Sequence, residues 1–181
     1  MKKGFTIIEV SLVIAIGGLI FLMAFIALPG LRASQRDTDR REGVISLIDN
    51  VKKYQQNNRG ALPTQPDPGG ATMVMWNSDI SHATETSWAG FYRDYLGENF
   101  VDPNGQNYRL EVVKCSATAV DADCGGTSII SFRDEPFPNN YKMLVVLQAT
   151  CYGDKAVGSA NPRKVAVLYK LEGSGIYCGN S

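Results

Sequence analysis

The chain has 181 residues, with 18 basic side chains, 18 acidic side chains and one histidine. A formal net charge of zero gives no general attraction for nucleic acid, although Arg163 and Lys164 can form a small local patch. The sequence has no nucleophile elbow, no phosphate-binding glycine loop and no pair of histidine ligands, so we expect neither an enzyme nor a bound cofactor or metal.

The stretch from Phe5 to Leu28 is almost entirely apolar, and Glu9 is its only strongly polar side chain. As a helix it extends about 36 Å, which exceeds the roughly 30 Å of hydrocarbon in a bilayer. Lys2 and Lys3 precede it, so the positive-inside tendency predicts that they stay in the cytoplasm and that residues after Leu28 emerge outside.

Glu9 is anomalous in such a helix, because an ionised carboxylate in hydrocarbon costs several kcal/mol unless it finds a partner or a proton. Cleavage between Gly4 and Phe5 would create an α-amine one helical turn from Glu9, on the same chain or on an identical neighbour. A secretory signal, a plain membrane anchor and a buried core helix are the competing interpretations. The anchor leaves Glu9 unexplained, and residues 27–30 make a poor signal cleavage site.

The segment Lys2-Lys3-Gly4-Phe5-Thr6-Ile7-Ile8-Glu9-Val10 resembles the class III signal of type IV pilins and of the pseudopilins of type II secretion. The resemblance implies that a prepilin peptidase cuts between Gly4 and Phe5 and that the new amine of Phe5 is methylated. It also implies that Glu9 pairs with the Phe5 amine of a neighbouring subunit during assembly. The match covers the leader and the helix closely, and the rest of the chain loosely.

The resemblance implies a pilin: a single-pass protein of the cytoplasmic membrane that polymerises into a helical surface filament for adhesion, motility or DNA uptake. Its implied partners are copies of itself, the membrane, the peptidase, a platform protein and an assembly ATPase. A pseudopilin or minor pilin is the alternative within this family, and a membrane-anchored binding domain that does not polymerise is the alternative outside it. The expected segments are a leader (1–4), a transmembrane and assembly helix (5–28), an amphipathic helix (29–59) and a globular domain (60–181).

Within the long helix, Gly17 and Gly18 suit either close helix packing or local unwinding. Pro29 and Gly30 predict a kink or break where the chain leaves the bilayer. The mixed charges of residues 32–42 predict a solvated helix surface, or contacts with neighbouring subunits. Residues at spacings of three and four then predict an apolar stripe that packs on a sheet, at Val44, Leu47, Ile48, Val51 and Tyr54 or Gln55.

The globular part carries signals for one helix and several strands. Aromatic residues at helical spacing between residues 86 and 97 predict a core-facing helix, and Asp102-Pro103-Asn104-Gly105 has the residues of a type I turn. That turn also resembles one found in major pseudopilins and some Gram-positive pilins. Strands are predicted within residues 108–112, 128–132, 141–151, 164–172 and 176–178. The fold class is therefore α+β, with a pilin-like long helix on an antiparallel sheet of four or five strands.

Four cysteines favour a disulfide framework with three possible connectivities: Cys115, Cys124, Cys151 and Cys178. A zinc site is a weaker interpretation, since there is no C-x-x-C pair and His82 is distant in sequence. Cys115 and Cys124 flank a short polar loop, so we expect them to pair and to leave Cys151 for Cys178. In a simple three-strand meander the latter two would lie roughly 9 to 10 Å apart, beyond the about 7 Å that a disulfide allows. We therefore expect residues 177–179 to leave the meander and cross the strand ends.

Asp121 and Asp123 lie in a turn-like segment close to the second cysteine. Some pseudopilins bind calcium through loop oxygens, which makes these carboxylates the candidates for such a site. A solvated loop is the favoured interpretation, because the surroundings of both carboxylates are turn-like.

Overall fold

The computed structural model describes residues 4–64, 72–75, 84–115, 119–125, 127–134, 141–173 and 175–181. The chain divides into two compact units, Met1–Arg36 and Asp37–Ser181. Helix α1 (Ile7–Asn57) contributes residues to both.

The first unit contains the apolar part of α1. The helix continues through Pro29 and Gly30, so the break considered at this position is absent. Gly17 and Gly18 are helical as well. The helix is long and apolar enough to cross a membrane, and none of its apolar window is buried within the chain. Internal proline and glycine are compatible with such a helix, since they are tolerated in membrane-spanning helices.

In the second unit the amphipathic part of α1 packs on a sheet. The predicted stripe is buried throughout, at Val44, Leu47, Ile48, Val51 and Tyr54. The helix ends at Asn57, and Gly60 takes a left-handed φ of 82° while its N–H donates to the carbonyl of Gln55 at 2.6 Å. This bond satisfies a carbonyl that the helix leaves unpaired at its C-terminus.

In the described part of the chain, the main sheet has five strands: β1 (Thr72–Met75), β2 (Arg109–Lys114), β3 (Lys142–Leu147), β6 (Val165–Lys170) and β7 (Ile176–Asn180). Their spatial order is β1-β2-β3-β6-β7. A separate hairpin consists of β4 (Ala149–Tyr152) and β5 (Lys155–Gly158). Together with α1 this is the α+β layout that we predicted, a long helix on a sheet.

The sheet is mixed rather than purely antiparallel. Strand β2 runs parallel to β3, with Leu110 opposite Met143, whereas the other pairs are antiparallel. Parallel neighbours need a long crossover, and helix α3 (Thr127–Asp134) lies in the chain between these two strands. The strand predicted at residues 128–132 is therefore wrong. Ile129 and Phe132, three residues apart and both buried, place one face of α3 in the core.

The sheet is covered on both faces, which explains why β3 and β6 are buried at nearly every position. One face packs with α1 through residues such as Leu110, Val145 and Val167. The opposite face packs with α3, where Ile129 and Phe132 lie in one cluster with alternate residues of the same strands.

The predicted aromatic helix is confirmed as core packing. It consists of α2 (Trp88–Phe91) and a π-helical turn (Tyr92–Leu96). Trp88, Phe91 and Tyr92 are buried, and the ring of Phe91 packs edge-on against Tyr54 of α1 at 5.8 Å between centroids. The hydroxyl of Ser87 caps α2 by accepting from the N–H of Gly90 at 3.1 Å.

The structure contains the disulfides Cys115–Cys124 and Cys151–Cys178, with Cα atoms 4.8 and 5.8 Å apart. The expected route of the tail is wrong, because Cys178 stays in β7, opposite Leu168 of β6. The other cysteine leaves the sheet instead. At Gln148 the chain takes a left-handed φ of 57°, so Cys151 lies in the β4–β5 hairpin rather than in an extension of β3.

The two disulfides should differ in their contribution to stability. They join residues 27 and 9 positions apart, for Cys151–Cys178 and Cys115–Cys124 respectively. In the chain-entropy picture the longer loop contributes about 3.5 kcal/mol and the shorter about 2.6 kcal/mol. We expect the double serine variant at positions 151 and 178 to lose about 1 kcal/mol more than the variant at 115 and 124. Denaturant unfolding followed by tryptophan fluorescence measures both, and a larger loss at positions 115 and 124 would contradict the expectation.

Candidate functional site

The predicted processing and assembly residues lie at the start of α1. Gly4 and Phe5 precede the first helical residue, and the side chain of Phe5 is 88% exposed. The peptide bond that the resemblance marks for cleavage is therefore outside the helix. A peptidase can reach an exposed, non-helical bond without first unwinding a helix.

Glu9 has a partner within its own chain. Its Oε2 accepts from the N–H of Thr6 at 3.0 Å and from the hydroxyl of Thr6 at 2.8 Å, and the N–H of Glu9 donates back to that hydroxyl at 3.3 Å. This reciprocal pair is a capping box, which satisfies N–H groups at a helix N-terminus. Sequence reasoning missed it, although the pattern Thr-x-x-Glu before an apolar run is a recognised signal for it.

Residues 5–31 of the first unit present an apolar surface on every side. From Phe5 to Leu31 the large apolar side chains are each between 45 and 88% exposed. Polar groups in this part of the helix are satisfied locally, as when Ser11 donates to the carbonyl of Ile8 at 3.0 Å. A Cβ added at Gly17 or Gly18 would meet nothing within 4 Å, so the helix backbone is open to close approach there. A helix that is apolar all round fits hydrocarbon or a bundle of similar helices.

A cluster of buried charges fastens α1 within the second unit. The side chain of Arg40 is fully buried. Its Nε donates to Asp102 at 2.7 Å, and its terminal nitrogens donate to Asp102 at 3.3 Å, to Glu172 at 2.7 Å and to Asp37 at 3.3 Å. A forked contact to Asp102 with a further bond to Glu172 is the geometry in which buried guanidinium groups are stable.

The carboxylates of this cluster are held by further donors. Asp102 accepts from the N–H of Asn104 at 2.9 Å and from the hydroxyl of Tyr169 at 3.2 Å. Asp37 accepts from the N–H groups of Glu172 at 2.9 Å and Gly173 at 3.0 Å. The cluster therefore joins α1 both to the predicted turn and to the residues after β6. In the turn, the N–H of Gly105 donates to the carbonyl of Asp102 at 2.7 Å.

This cluster corrects the prediction for residues 32–42. Asp37 and Arg40 are buried rather than solvated, whereas Asp39 and Arg41 are exposed as expected. A signal was present in the sequence, because positions 37, 40, 44, 47 and 51 continue one stripe at spacings of three and four. The charged residues at its beginning were assigned to solvent because charge alone favours a surface.

Burial and hydrogen bonding perturb the ionisable groups of the second unit. Burial alone would lower the pKa of Arg40, but its bonds to Asp102 and Glu172 raise the pKa above the ordinary value. Burial raises the pKa of Tyr92 to about 12. Burial, together with the negative charge of Asp102, also raises the pKa values of Tyr108 and Tyr169.

Of the two candidate calcium ligands, Asp123 has basic side chains as partners for its carboxylate. The carboxylate of Asp123 lies 3.5 Å from Arg133 and 3.9 Å from Lys155. Asp121 has a left-handed φ of 62° and donates its N–H to the carbonyl of Gly158 at 2.9 Å. Among the residues that the structure describes, no group of three or more His, Cys, Asp or Glu side chains is placed to hold a metal ion.

Comparison with known proteins gives no match: no protein-family model, no curated protein and no solved structure matches the chain.

Removing the cation of the buried cluster should destabilise the second unit strongly. Arg40→Ala leaves the carboxylates of Asp102, Asp37 and Glu172 without their shared partner, and the loss of one member of a buried ion pair costs about 3 to 5 kcal/mol. Lys53→Ala is the matched control, because Lys53 lies on the exposed side of the same helix and should change stability by less than about 0.5 kcal/mol. Urea unfolding measures both, and equal losses would show that the cluster is not structurally important.

Stability should fall in alkaline solution. Above about pH 10 the unfolded chain releases tyrosine protons that the folded chain retains at Tyr92, Tyr108 and Tyr169. The free energy of unfolding should therefore decrease with rising pH by about 1.4 kcal/mol per pH unit for each such tyrosine, until the pH passes the folded pKa values. Tyr169→Phe should reduce this slope. Tyr152→Phe, at a side chain that is 77% exposed, should not, and the reverse order would contradict the assignment.

Proposed function

We propose that the chain is a structural subunit of a type IV pilus. In this proposal a prepilin peptidase cleaves between Gly4 and Phe5, the Phe5 amine is methylated, and the apolar part of α1 holds the protein in the cytoplasmic membrane until it is transferred into a filament. The second unit then forms the outer part of a surface fibre made of many copies.

The observation that carries the proposal is the lone carboxylate of Glu9 at the start of an apolar helix that is exposed on all sides. Lys2, Lys3 and Gly4 before Phe5 complete the resemblance to a prepilin signal. An apolar helix of this length needs a hydrocarbon environment in the monomer, and packing with copies of itself supplies an equivalent environment after the chain leaves the bilayer.

The capping box supplies a role for Glu9 under the competing hypothesis of a membrane anchor. A membrane anchor that never polymerises would also benefit from Glu9, because the carboxylate satisfies the N–H of Thr6. A pseudopilin or minor pilin shares the proposed processing and differs in the extent of polymerisation. The Cys151–Cys178 disulfide near the C-terminal end favours a pilin, since a disulfide-closed region of this kind resembles pilins more than major pseudopilins.

Processing supplies the first test. We expect the mature protein to begin at Phe5 and to carry one added methyl group, and intact-mass measurement of the protein isolated from membranes or fibres reads both features. A mature protein that retains Met1, or that begins near Gly30, would contradict the proposal, because neither start results from cleavage between Gly4 and Phe5.

Two substitutions separate the charge of Glu9 from its capping role. Glu9→Gln keeps an acceptor for Thr6 but removes the charge, whereas Thr6→Ala keeps the charge and the bond from the main-chain N–H of Thr6 but removes the two bonds of the Thr6 hydroxyl. If Glu9 pairs with a neighbouring Phe5 amine, Glu9→Gln and Glu9→Ala should lower filament yield by at least about tenfold, since the lost charge pair is worth more than about 1.4 kcal/mol. Membrane insertion and cleavage should persist.

Thr6→Ala should retain most of the yield, because it leaves the charge in place. Filaments counted by electron microscopy, normalised to the cleaved protein in the membrane, decide between the roles. Normal assembly of Glu9→Gln together with failure of Thr6→Ala would assign Glu9 to capping alone.

A further inference from the structure

A cleft of about 540 Å³ lies in the second unit, between the last turns of α1 and the loop that precedes β6. Its described lining contains no acidic side chain. Four basic side chains line the cleft: Lys52, Arg59, Arg163 and Lys164. The chain as a whole is neutral, so this surface concentrates positive charge well above the average for the protein.

The loop that carries Arg163 is held through the main-chain atoms of Arg163, which bond to one side chain of the loop and to one side chain of α1. The N–H of Arg163 donates to Oδ1 of Asn161 at 2.9 Å, and Nε2 of Gln55 donates to the carbonyl of Arg163 at 2.8 Å. The guanidinium lies directly against Gly60, where an added Cβ would be only 2.8 Å from one of its nitrogens. A glycine with a φ of 82° thus allows the arginine to pack closely on the end of α1.

The positive charge of the cleft is only partly balanced within the chain. Lys52 lies 3.5 Å from Asp49, and Lys164 donates to a main-chain oxygen of Ser181, which also lines the cleft. In the described parts of the chain, the guanidinium groups of Arg59 and Arg163 are paired with no carboxylate. The partial negative charge at the C-terminus of α1 disfavours anions, but it amounts to about half a charge against the two guanidinium groups of Arg59 and Arg163.

We propose that this cleft binds a soluble anion that carries more than one phosphate group. Guanidinium groups bind phosphate oxygens through paired N–H donors, and ammonium groups add unspecific attraction. The volume of the cleft exceeds that of a single phosphate, and the basic residues come from two separate segments, so a ligand with several anionic groups can engage both segments at once. None of the lining residues belongs to the apolar part of α1, and Glu9 is not among them.

Calorimetric titration of the full chain in neutral detergent micelles tests the site, with tripolyphosphate and inorganic phosphate as probes at constant ionic strength. We expect saturable binding of tripolyphosphate that is at least tenfold tighter than that of phosphate. The variant Arg59→Gln/Arg163→Gln should weaken it at least tenfold, and Arg59→Gln alone should weaken it partly. The fold should be retained, because the side chains of Arg59 and Arg163 are exposed and the bonds that hold the loop use only the main-chain atoms of Arg163.

The variant Lys53→Gln/Lys114→Gln is the matched control, because it removes the same charge from two exposed residues outside the cleft. Binding should be unchanged in this variant. Absence of saturable binding to the unaltered chain, equal affinity for both probes, or equal weakening by the two double variants would each overturn the proposal.

Discussion

The structure depends on one constraint: the chain carries an apolar helix surface that its own residues leave exposed. From Phe5 to Leu31 the large apolar side chains are exposed on every side of α1. Burial of apolar surface is the largest favourable term available to a protein, so a surface of this kind favours hydrocarbon or contact with other apolar helices. The capping box at Thr6 and Glu9 and the internal bond of Ser11 meet the second requirement of that environment, which is that polar groups be satisfied locally.

The same helix obeys a different rule in the second unit. Its stripe from Val44 to Tyr54 packs on one face of the sheet, and the buried Arg40 extends that stripe with charges instead of hydrocarbon. The buried guanidinium of Arg40 is tolerated because Asp102 and Glu172 lie within hydrogen-bonding distance. Asp102 also accepts hydrogen bonds from the N–H of Asn104 and the hydroxyl of Tyr169. These bonds are directional, so they fix the rotation and the axial position of the helix more sharply than apolar contacts do.

Sequence reasoning succeeded where a periodic pattern determines the structure. The helix stripe, the aromatic helix around Phe91 and the turn at Asp102 were all predictable from spacing and turn chemistry. It failed where a long-range contact overrides local preference. Arg40 is buried because Asp102 and Glu172, which lie 62 and 132 residues away in the sequence, accept its hydrogen bonds. The run around Ile129 is helical within the connection between the parallel strands β2 and β3, where its buried residues pack on the sheet. The left-handed residue Gln148, which moves Cys151 out of the sheet, carries no local signal since glutamine rarely adopts that conformation.

The central claim is that copies of this chain cover one another's apolar helices. Its most direct measurement places a photo-crosslinking amino acid at Ile14, an exposed position near the middle of the apolar segment, and irradiates cells that express the protein. The account predicts a ladder of crosslinked species at multiples of the chain mass, and its loss when Glu9→Gln is combined with the probe. A crosslinking pattern that contains only the monomer, in cells whose membranes hold the cleaved protein, would contradict it.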